Sequence, residues 1–176
     1  MRLVFFGTPR FAEIVLQHLF AADIRPIALV ANPDRPVGRK KVLTPPPTVQ
    51  LVRDTCPPKS VEVLQPETLD AAFISRLASL KPDVSVIAAY AKIIPLDLVE
   101  LPRLGTLGVH PSLLPTLRGA SPIASAILTG AERTGATIYR MDEKMDHGPI
   151  LAARVLKDAD LSAIDEPTLE TKLAEL

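Results

Sequence analysis

The sequence predicts an α/β fold, with a Rossmann-like, doubly wound and mostly parallel sheet. Short apolar runs that are typical of buried strands alternate with segments whose apolar residues recur at helical spacing. Such alternation indicates parallel strands joined by crossover helices. The first apolar run also ends in Gly7-Thr8-Pro9, a tight turn that leads directly into a helical segment. The G-x-G-x-x-G pattern of dinucleotide-binding folds is missing from this turn.

The individual elements follow from the same patterns. Leu3–Phe6 is a continuous apolar run and predicts a buried parallel strand. Thr8 is expected to cap the next helix, with Pro9 at its first position. This helix should turn five apolar residues toward the sheet, namely Phe11, Ile14, Val15, Leu19 and Ala22. Further strands are expected at residues 26–31, 61–64, 84–89, 106–110, 136–141 and 149–155, and further helices at 48–55, 69–80, 118–128 and 167–176.

Residues 32–47 interrupt the alternation with a long segment that is rich in proline and basic residues. A loop of this length without secondary structure is uncommon and usually functional. Its four cations are Arg35, Arg39, Lys40 and Lys41. A basic run is usually a solvated face, whereas interleaved prolines and a glycine suit a segment that reaches along phosphates.

Composition narrows the classes of protein. Lys plus Arg and Asp plus Glu both number 20, so any nucleic-acid site must be a local basic patch. The single cysteine, Cys56, excludes an intramolecular disulfide and suits a reducing compartment. No apolar run approaches the ~18 residues that span a bilayer, and the N-terminal run is too short for a signal peptide. We therefore expect a cytoplasmic protein with no membrane partner.

A histidine and an aspartate are the candidates for chemistry. His110 ends an apolar strand-like run and is followed by a loop that contains Pro111 and Pro115. Strand ends that open into loops are where α/β enzymes place reactive groups. Asp146 lies in an acidic turn that Gly148 closes. A carboxylate brought beside an imidazole can orient it and raise its pKa, which makes a proton-transfer pair, although two such residues far apart in sequence could also be a coincidence.

The other histidines do not indicate a metal site. His18 falls in the first helix, where a surface or packing role is simplest. His147 should point away from Asp146 if that segment is extended. No H-x-x-x-H or C-x-x-C spacing occurs, so no metal is expected.

Several motifs stand in a fixed order along the chain: HPSLLP at residues 110–115, Arg118-Gly119, and Asp146-x-Gly148. Together they resemble the formyltransferases that use 10-formyltetrahydrofolate. LVFFGTPRFA at residues 3–12 and NPDRPVGRKKVLTPPP at residues 32–47 resemble methionyl-tRNA formyltransferases in particular. The resemblance runs from Met1 to about Leu156 and includes the order and spacing of every motif.

The resemblance implies transfer of a formyl group from 10-formyltetrahydrofolate to the amino group of initiator methionyl-tRNA, at the start of translation. His110, oriented by Asp146, would stabilise the oxyanion formed when the amine attacks and would move a proton toward the departing folate nitrogen. The loop of residues 112–115 would hold the reactants in line.

Binding surfaces are also implied by the resemblance. Residues 87–95 would form the apolar wall of the folate pocket, and the acidic loop would wrap the pteridine ring. The folate-binding residues would be Ile87, Lys92, Ile93, Ile94, Ser112, Leu113, Leu114, Pro115, Met141, Asp142 and Glu143. Arg35, Arg39, Lys40 and Lys41 would contact the acceptor end of the tRNA. From spacing alone, the apolar residues among them would simply be core.

Gly108 is the one departure from the family pattern, which has asparagine two residues before its histidine. In the family that amide donates a hydrogen bond to the oxyanion, and glycine cannot supply it from a side chain. An ordered water or a neighbouring polar group could take its place, so we count Gly108 with the catalytic residues and expect open space above its Cα.

Two other functions stay open. The chain could formylate a small amine, such as an amino sugar or glycinamide ribonucleotide, although the basic segment is not needed for that. It could also be a non-catalytic folate-binding module, because Gly108 replaces the family's asparagine. The whole chain is expected to be one catalytic domain and a monomer. Its last helix ends without a cap, and the family's second, β-barrel domain does not follow, which indicates a truncated protein.

Overall fold

The computed structural model describes residues 1–157, 160–161 and 163–176. These residues form two compact units, residues 1–106 and residues 107–176. Among the described residues no helix is long and apolar enough to cross a membrane.

The first unit is built on four parallel strands. Its strands are β1 (Leu3–Phe6), β2 (Ala28–Val30), β3 (Arg35–Val37), β4 (Val42–Thr44), β5 (Glu62–Leu64) and β6 (Val84–Ala88). Its helices are α1 (Arg10–Ala21), α2 (Pro47–Thr55), α3 (Ala71–Ser79) and α4 (Leu96–Glu100). The order of the parallel strands is β5-β2-β1-β6. Every residue of β1 and β6 is buried, as the continuous apolar runs predict.

Helix α1 buries a different set of residues from the one that its spacing predicts. Phe11 and Ile14 are buried as expected, together with Ala12 and Leu16. The other three predicted residues are not: Val15 and Leu19 are half-buried and Ala22 is exposed. The reason is that α1 packs against α2 as well as β6, so its buried stripe is wider and is rotated from the single-faced expectation.

The turn after β1 depends on a glycine and not on the predicted threonine cap. The residue that precedes α1 is Pro9, without a side-chain cap, while the Thr8 hydroxyl accepts a hydrogen bond from the Asn32 amide at 3.2 Å. A Cβ on Gly7 would lie 2.5 Å from the Ala12 Cβ. Glycine therefore allows the helix to approach the strand closely.

The basic segment at residues 32–47 contains a β-hairpin, which corrects the prediction of a loop without secondary structure. Strands β3 and β4 pair antiparallel and are exposed throughout. The turn at residues 38–41 uses positive φ angles at Gly38 (71°) and Lys41 (48°). Three-residue strands exposed on both faces show no apolar alternation, so periodicity could not reveal them. Helix α4 was missed for a similar reason, because five residues are too few to show a helical period.

The second unit contains an antiparallel sheet and two helices. Its elements are β7 (Thr106–His110), α5 (Pro122–Leu128), β8 (Gly135–Arg140), β9 (Ile150–Val155) and α6 (Glu166–Ala174). Strand β8 pairs antiparallel with both β7 and β9, and α6 packs on β8 and α5. The helix predicted from residue 118 begins only at Pro122, because residues 118–121 form part of a hydrogen-bonded loop. The predicted α/β fold with a mostly parallel sheet is confirmed.

Tyr90 provides a test of packing in the first unit. Its ring meets Phe6 edge to face, with centroids 5.6 Å apart, and its buried hydroxyl has no hydrogen-bond partner among the described residues. Tyr90→Phe should therefore keep the free energy of unfolding at pH 7 unchanged or raise it by about 1 kcal/mol. Denaturant unfolding measures this, and a loss well above that size would contradict the described packing.

The same variant should flatten the dependence of stability on alkaline pH. Burial raises the pKa of Tyr90 from 10.0 to about 12. The unfolded phenol ionises near pH 10 and the folded one does not, so the free energy of unfolding should fall between pH 10 and 12. Tyr90→Phe should lose less stability across that window than the parent, and equal losses would contradict the burial of the hydroxyl.

Candidate functional site

His110 is fixed at the end of β7 by one ring nitrogen. Its side chain is 8% exposed, and Nε2 lies 2.9 Å from the Leu117 carbonyl oxygen. Because a carbonyl only accepts, Nε2 must carry the donated hydrogen. The proton that the ring can gain or release is therefore the one on Nδ1. That atom lies 3.7 Å from Oδ1 of Asp146, within ion-pair range but too far for a direct hydrogen bond.

Asp146 is held from three directions within the second unit. Oδ1 accepts a hydrogen bond from the Tyr139 hydroxyl at 2.8 Å, and Oδ2 accepts one from the Gly119 amide at 2.8 Å. The Asp146 backbone carbonyl accepts from Nε of Arg118 at 2.8 Å. The residue has a positive φ of 49°, which aspartate tolerates better than most residues. With both oxygens bonded, the carboxylate cannot rotate without breaking a contact.

Gly148 closes the acidic loop for a steric reason. A Cβ at this position would lie 1.8 Å from the Arg140 carbonyl oxygen. The Arg140 amide donates to the Pro149 carbonyl at 2.9 Å. This hydrogen bond joins the two ends of the loop between β8 and β9. Only glycine fits at this closure, which sets the path of the loop that carries Asp146.

The loop after His110 is tied to β8 by a single hydroxyl. Oγ1 of Thr137 donates to the Ser112 carbonyl at 2.7 Å and accepts from the Leu114 amide at 3.1 Å. Ser112 is itself buried, and its Oγ donates to the Thr116 carbonyl at 2.6 Å. These bonds hold the loop so that the Leu117 carbonyl meets His110.

The space above Gly108 is filled, which corrects the expectation that it is open. Gly108 and Tyr139 are directly paired across β7 and β8. A Cβ added to Gly108 would lie 2.3 Å from Cε1 and 2.7 Å from the hydroxyl oxygen of Tyr139. The ring therefore lies over the glycine backbone, as aromatic residues often do when paired with glycine. No side chain at residue 108 fits while the ring stays in place.

Tyr139 remains a hydrogen-bond donor over the whole physiological range. Its side chain is buried, and burial is the main reason that its pKa lies far above the usual value of 10.0. The hydrogen bond to Asp146 and the charge of that carboxylate raise the pKa further. The phenol is thus neutral and donates its single proton to Asp146.

The predicted folate-binding residues of the first unit differ in burial. Ile87 is buried in β6, whereas Ile93 is 88% exposed, so the interpretation of Ile93 as core is wrong. Ile94 is half-buried. The Lys92 ammonium donates to the backbone carbonyls of Pro66 and Glu67, the latter at 2.8 Å, which ties the 89–95 segment to the chain after β5.

The predicted folate-binding residues of the second unit lie in the loop after His110 and in the acidic loop. Leu114 is buried, Leu113 half-buried and Pro115 exposed, while the acidic loop offers half-buried Met141 and Asp142 and exposed Glu143. The segment around His147 is a turn and not extended, and the Nδ1 of His147 lies 2.7 Å from Oδ2 of Asp142. This contact is the main cause of the lowered pKa of Asp142. Within the described residues there is no cluster of three or more metal-ligating side chains.

The hairpin divides the four predicted tRNA-binding cations into two kinds. Arg35 lies in β3 and forms an ion pair with Glu67, with 3.0 Å between nitrogen and oxygen. Arg39, Lys40 and Lys41 form the turn and are exposed. The turn therefore presents three adjacent positive charges at the tip of the β3–β4 hairpin.

Tyr139, Thr137 and the Leu117 carbonyl are parts of the site that the sequence did not reveal. Buried Thr137 and Tyr139 alternate with exposed residues in β8, and this alternation is a signal that one face is covered. Which residues of β7 they face depends on strand register, which sequence patterns do not supply.

Comparisons with known proteins match this architecture. A family described as formyl transferase matches residues 1–174. A methionyl-tRNA formyltransferase from Chloroflexus aggregans is 48% identical over 153 residues, covering 86% of this chain and 48% of that protein. One from Thermotoga maritima is 40% identical and covers 100% of this chain and 55% of that protein. The chain spans about half the length of the curated relatives it matches.

Solved structures of similar shape are also known. A phosphoribosylglycinamide formyltransferase from Bacillus halodurans superposes with a TM-score of 0.74 at 26% identity, covering 99% of this chain and 88% of that chain. A glycinamide ribonucleotide transformylase from Symbiobacterium toebii gives a TM-score of 0.76 at 17% identity, covering 99% and 81%, and shows the fold alone.

The contact between Gly108 and Tyr139 predicts a coupled loss of stability. Gly108→Ala should lower the free energy of unfolding by about 1–3 kcal/mol, because the new methyl group overlaps a buried ring. Tyr139→Leu removes the ring and has its own cost, so the double variant should lose less than the sum of the two single losses. Denaturant unfolding of all four proteins measures the coupling, and simple additivity would contradict the overlap.

Proposed function

Because the chain belongs to the formyl transferase family, we propose that it transfers a formyl group from 10-formyltetrahydrofolate to the amino group of initiator methionyl-tRNA. The observation that carries the proposal is the buried pairing of His110 with Asp146 at the end of β7. Curated relatives at 40–48% identity are named methionyl-tRNA formyltransferases, which supports this substrate over others.

Within the second unit, the two residues suit an acyl-type transfer. Negative charge develops on the formyl oxygen as the amine attacks, and a proton must reach the leaving nitrogen. His110 can carry positive charge close to that oxygen and exchange a proton at Nδ1, the atom that faces the carboxylate. Asp146 holds the imidazole cation by its charge, and the bonds to Tyr139 and Gly119 fix the carboxylate.

10-Formyltetrahydrofolate supplies the formyl group in this proposal. Each unit offers side chains suited to it: the exposed Ile93 is an apolar surface for a flat ring, and the acidic loop offers the half-buried Asp142 and the exposed Glu143 as polar groups for its edge. We assign folate binding to Ile87, Lys92, Ile93, Ile94, Ser112, Leu113, Leu114, Pro115, Met141, Asp142 and Glu143.

The hairpin supports a nucleic-acid substrate. Arg39, Lys40 and Lys41 are exposed at its turn, and phosphate contacts of this type position a protein on its nucleic acid. Arg35 supports the hairpin through its ion pair with Glu67, and its other guanidinium N–H groups can donate to phosphate.

A phosphoribosylglycinamide substrate is the second candidate. The solved structure from Bacillus halodurans, at 26% identity, carries that name. The basic hairpin favours the tRNA, because a small amine needs no cation cluster of this kind. Formyl transfer measured with charged initiator tRNA beside a panel of small amines decides between them.

We expect His110 and Asp146 to act as one unit in transfer. His110→Ala should lower the rate by about 10²–10⁴-fold, the usual loss for a general acid–base group. Asp146→Asn should fold, because its amide oxygen can still accept one of the two bonds, and should lose most of the activity. The double variant should be little worse than the poorer single one.

Steady-state rates of the four proteins test this expectation. His18→Ala is the matched control, because it removes an exposed imidazole in α1 and should leave the rate unchanged. If the fold losses in transfer rate of the two single variants multiply in the double variant, His110 and Asp146 do not act as one unit.

The turn cations should determine the salt dependence of tRNA binding. Replacing Arg39, Lys40 and Lys41 by glutamine should weaken binding and flatten the dependence of log K on log salt, by roughly 0.7–0.9 per lost phosphate contact. Folate binding should not change.

A control triple variant at Arg53, Arg133 and Lys172 removes three exposed charges from separate sites and should bind nearly as the parent does. If both triple variants weaken tRNA binding equally, the hairpin cations act only through the net charge of the protein and not through specific phosphate contacts.

A further inference from the structure

Tyr139 lies between Gly108 and Asp146 in the second unit. Its hydroxyl contacts the oxygen of Asp146 that lies nearest His110. The same hydroxyl lies 2.7 Å from the point where a side chain on Gly108 would begin. One phenol is thus bonded to Asp146, lies against Gly108, and is linked to His110 through the Asp146 carboxylate.

We propose that Tyr139 is a positioning residue for formyl transfer, and that Gly108 is glycine because the Tyr139 ring needs its space. The proposal rests on the proposed function, since it gives Tyr139 a role through the Asp146–His110 pair. The hydroxyl fixes Oδ1 of Asp146, and through it the orientation of the charge that faces Nδ1 of His110.

The single proton of the Tyr139 hydroxyl limits this residue to a positioning role. A neutral phenol has one proton to donate, and here that proton goes to Asp146. The raised pKa keeps the phenol protonated. In this arrangement the hydroxyl cannot also donate to a substrate oxygen, so its effect on the reaction must pass through the carboxylate.

Loss of the hydroxyl would free one side of the carboxylate. Asp146 would keep the Gly119 amide on Oδ2, while Oδ1 would retain only the distant His110 ring at 3.7 Å. The carboxylate could then rotate about its remaining bond, and His110 would lose a fixed partner. A small change in that geometry is costly for a transfer reaction.

The space over Gly108, which the Tyr139 ring fills, links residues 108 and 139. Gly108 and Tyr139 are opposite residues of paired strands, and the ring reaches Asp146 only by crossing the glycine backbone. A larger residue at 108 would push the ring from this path. The absence of a side chain at 108 is therefore what lets the hydroxyl reach the carboxylate.

Tyr139→Phe is the direct test, because it removes one oxygen and keeps the ring. We expect kcat for formyl transfer to fall by about 10- to 100-fold, as for a lost hydrogen bond to a charged group. KM for either substrate should change by less than about 2-fold. Tyr90→Phe, which also removes a buried phenolic oxygen, is the matched comparison for stability.

A double-mutant cycle separates positioning from an independent contribution. In the His110→Ala background, Tyr139→Phe should cause no further loss of transfer, because the residue through which it acts is gone. Nitrogen NMR adds a spectroscopic readout: Tyr139→Phe should shift the ring signals of His110 but not those of His18 or His147, with His110→Ala providing the assignment.

Each outcome decides the proposal. A Tyr139→Phe rate within about 2-fold of the parent, or an equal loss in the His110→Ala background, would overturn it while leaving the proposed function intact. A parent-like rate for His110→Ala would overturn both.

If Tyr139→Phe fails to fold, fluorotyrosine in a Tyr90→Phe background labels position 139 alone. Its fluorine signal should shift when Asp146 is changed to Asn, and an unchanged signal would sink the proposed link.

Discussion

The carboxylate of Asp146 is the interaction on which the site depends. One of its oxygens accepts a hydrogen bond from the Tyr139 hydroxyl and the other accepts one from the Gly119 amide. The backbone carbonyl of Asp146 accepts a third from the Arg118 side chain. These partners come from β8 and from the loop after β7. One charged group therefore fixes two loops to the same strand, and His110 receives its charged neighbour as a result. Hydrogen bonds to an ionised group are the strong ones, which suits this role.

Glycines make that arrangement geometrically possible. Gly148 lets the acidic loop close against the Arg140 backbone, and Gly108 leaves room for the ring that reaches Asp146. In both cases the missing Cβ is replaced by another part of the protein and not by solvent. At Gly108 the space is filled by the Tyr139 ring, whose hydroxyl bonds to Asp146.

Much of the fold could be predicted because its signals are local. Continuous apolar runs are typical of buried parallel strands, and they located β1 and β6 to within a residue. The helix predicted at residues 167–176 corresponds to α6 (Glu166–Ala174). The exposed hairpin and the short α4 have no apolar period, so patterns missed them. The face of α1 was misjudged because it has two packing partners instead of one.

The sequence by itself determined the residue types of the site: a histidine at a strand end, an aspartate before a closing glycine, and three cations in a row. It also determined that both polar residues sit next to loops, since turn residues follow each of them. Only the tertiary structure decided that Tyr139 lies over Gly108 and bonds to Asp146. The reason is strand register: a shift of one residue between β7 and β8 would put Tyr139 on the other face, and no local pattern specifies that pairing.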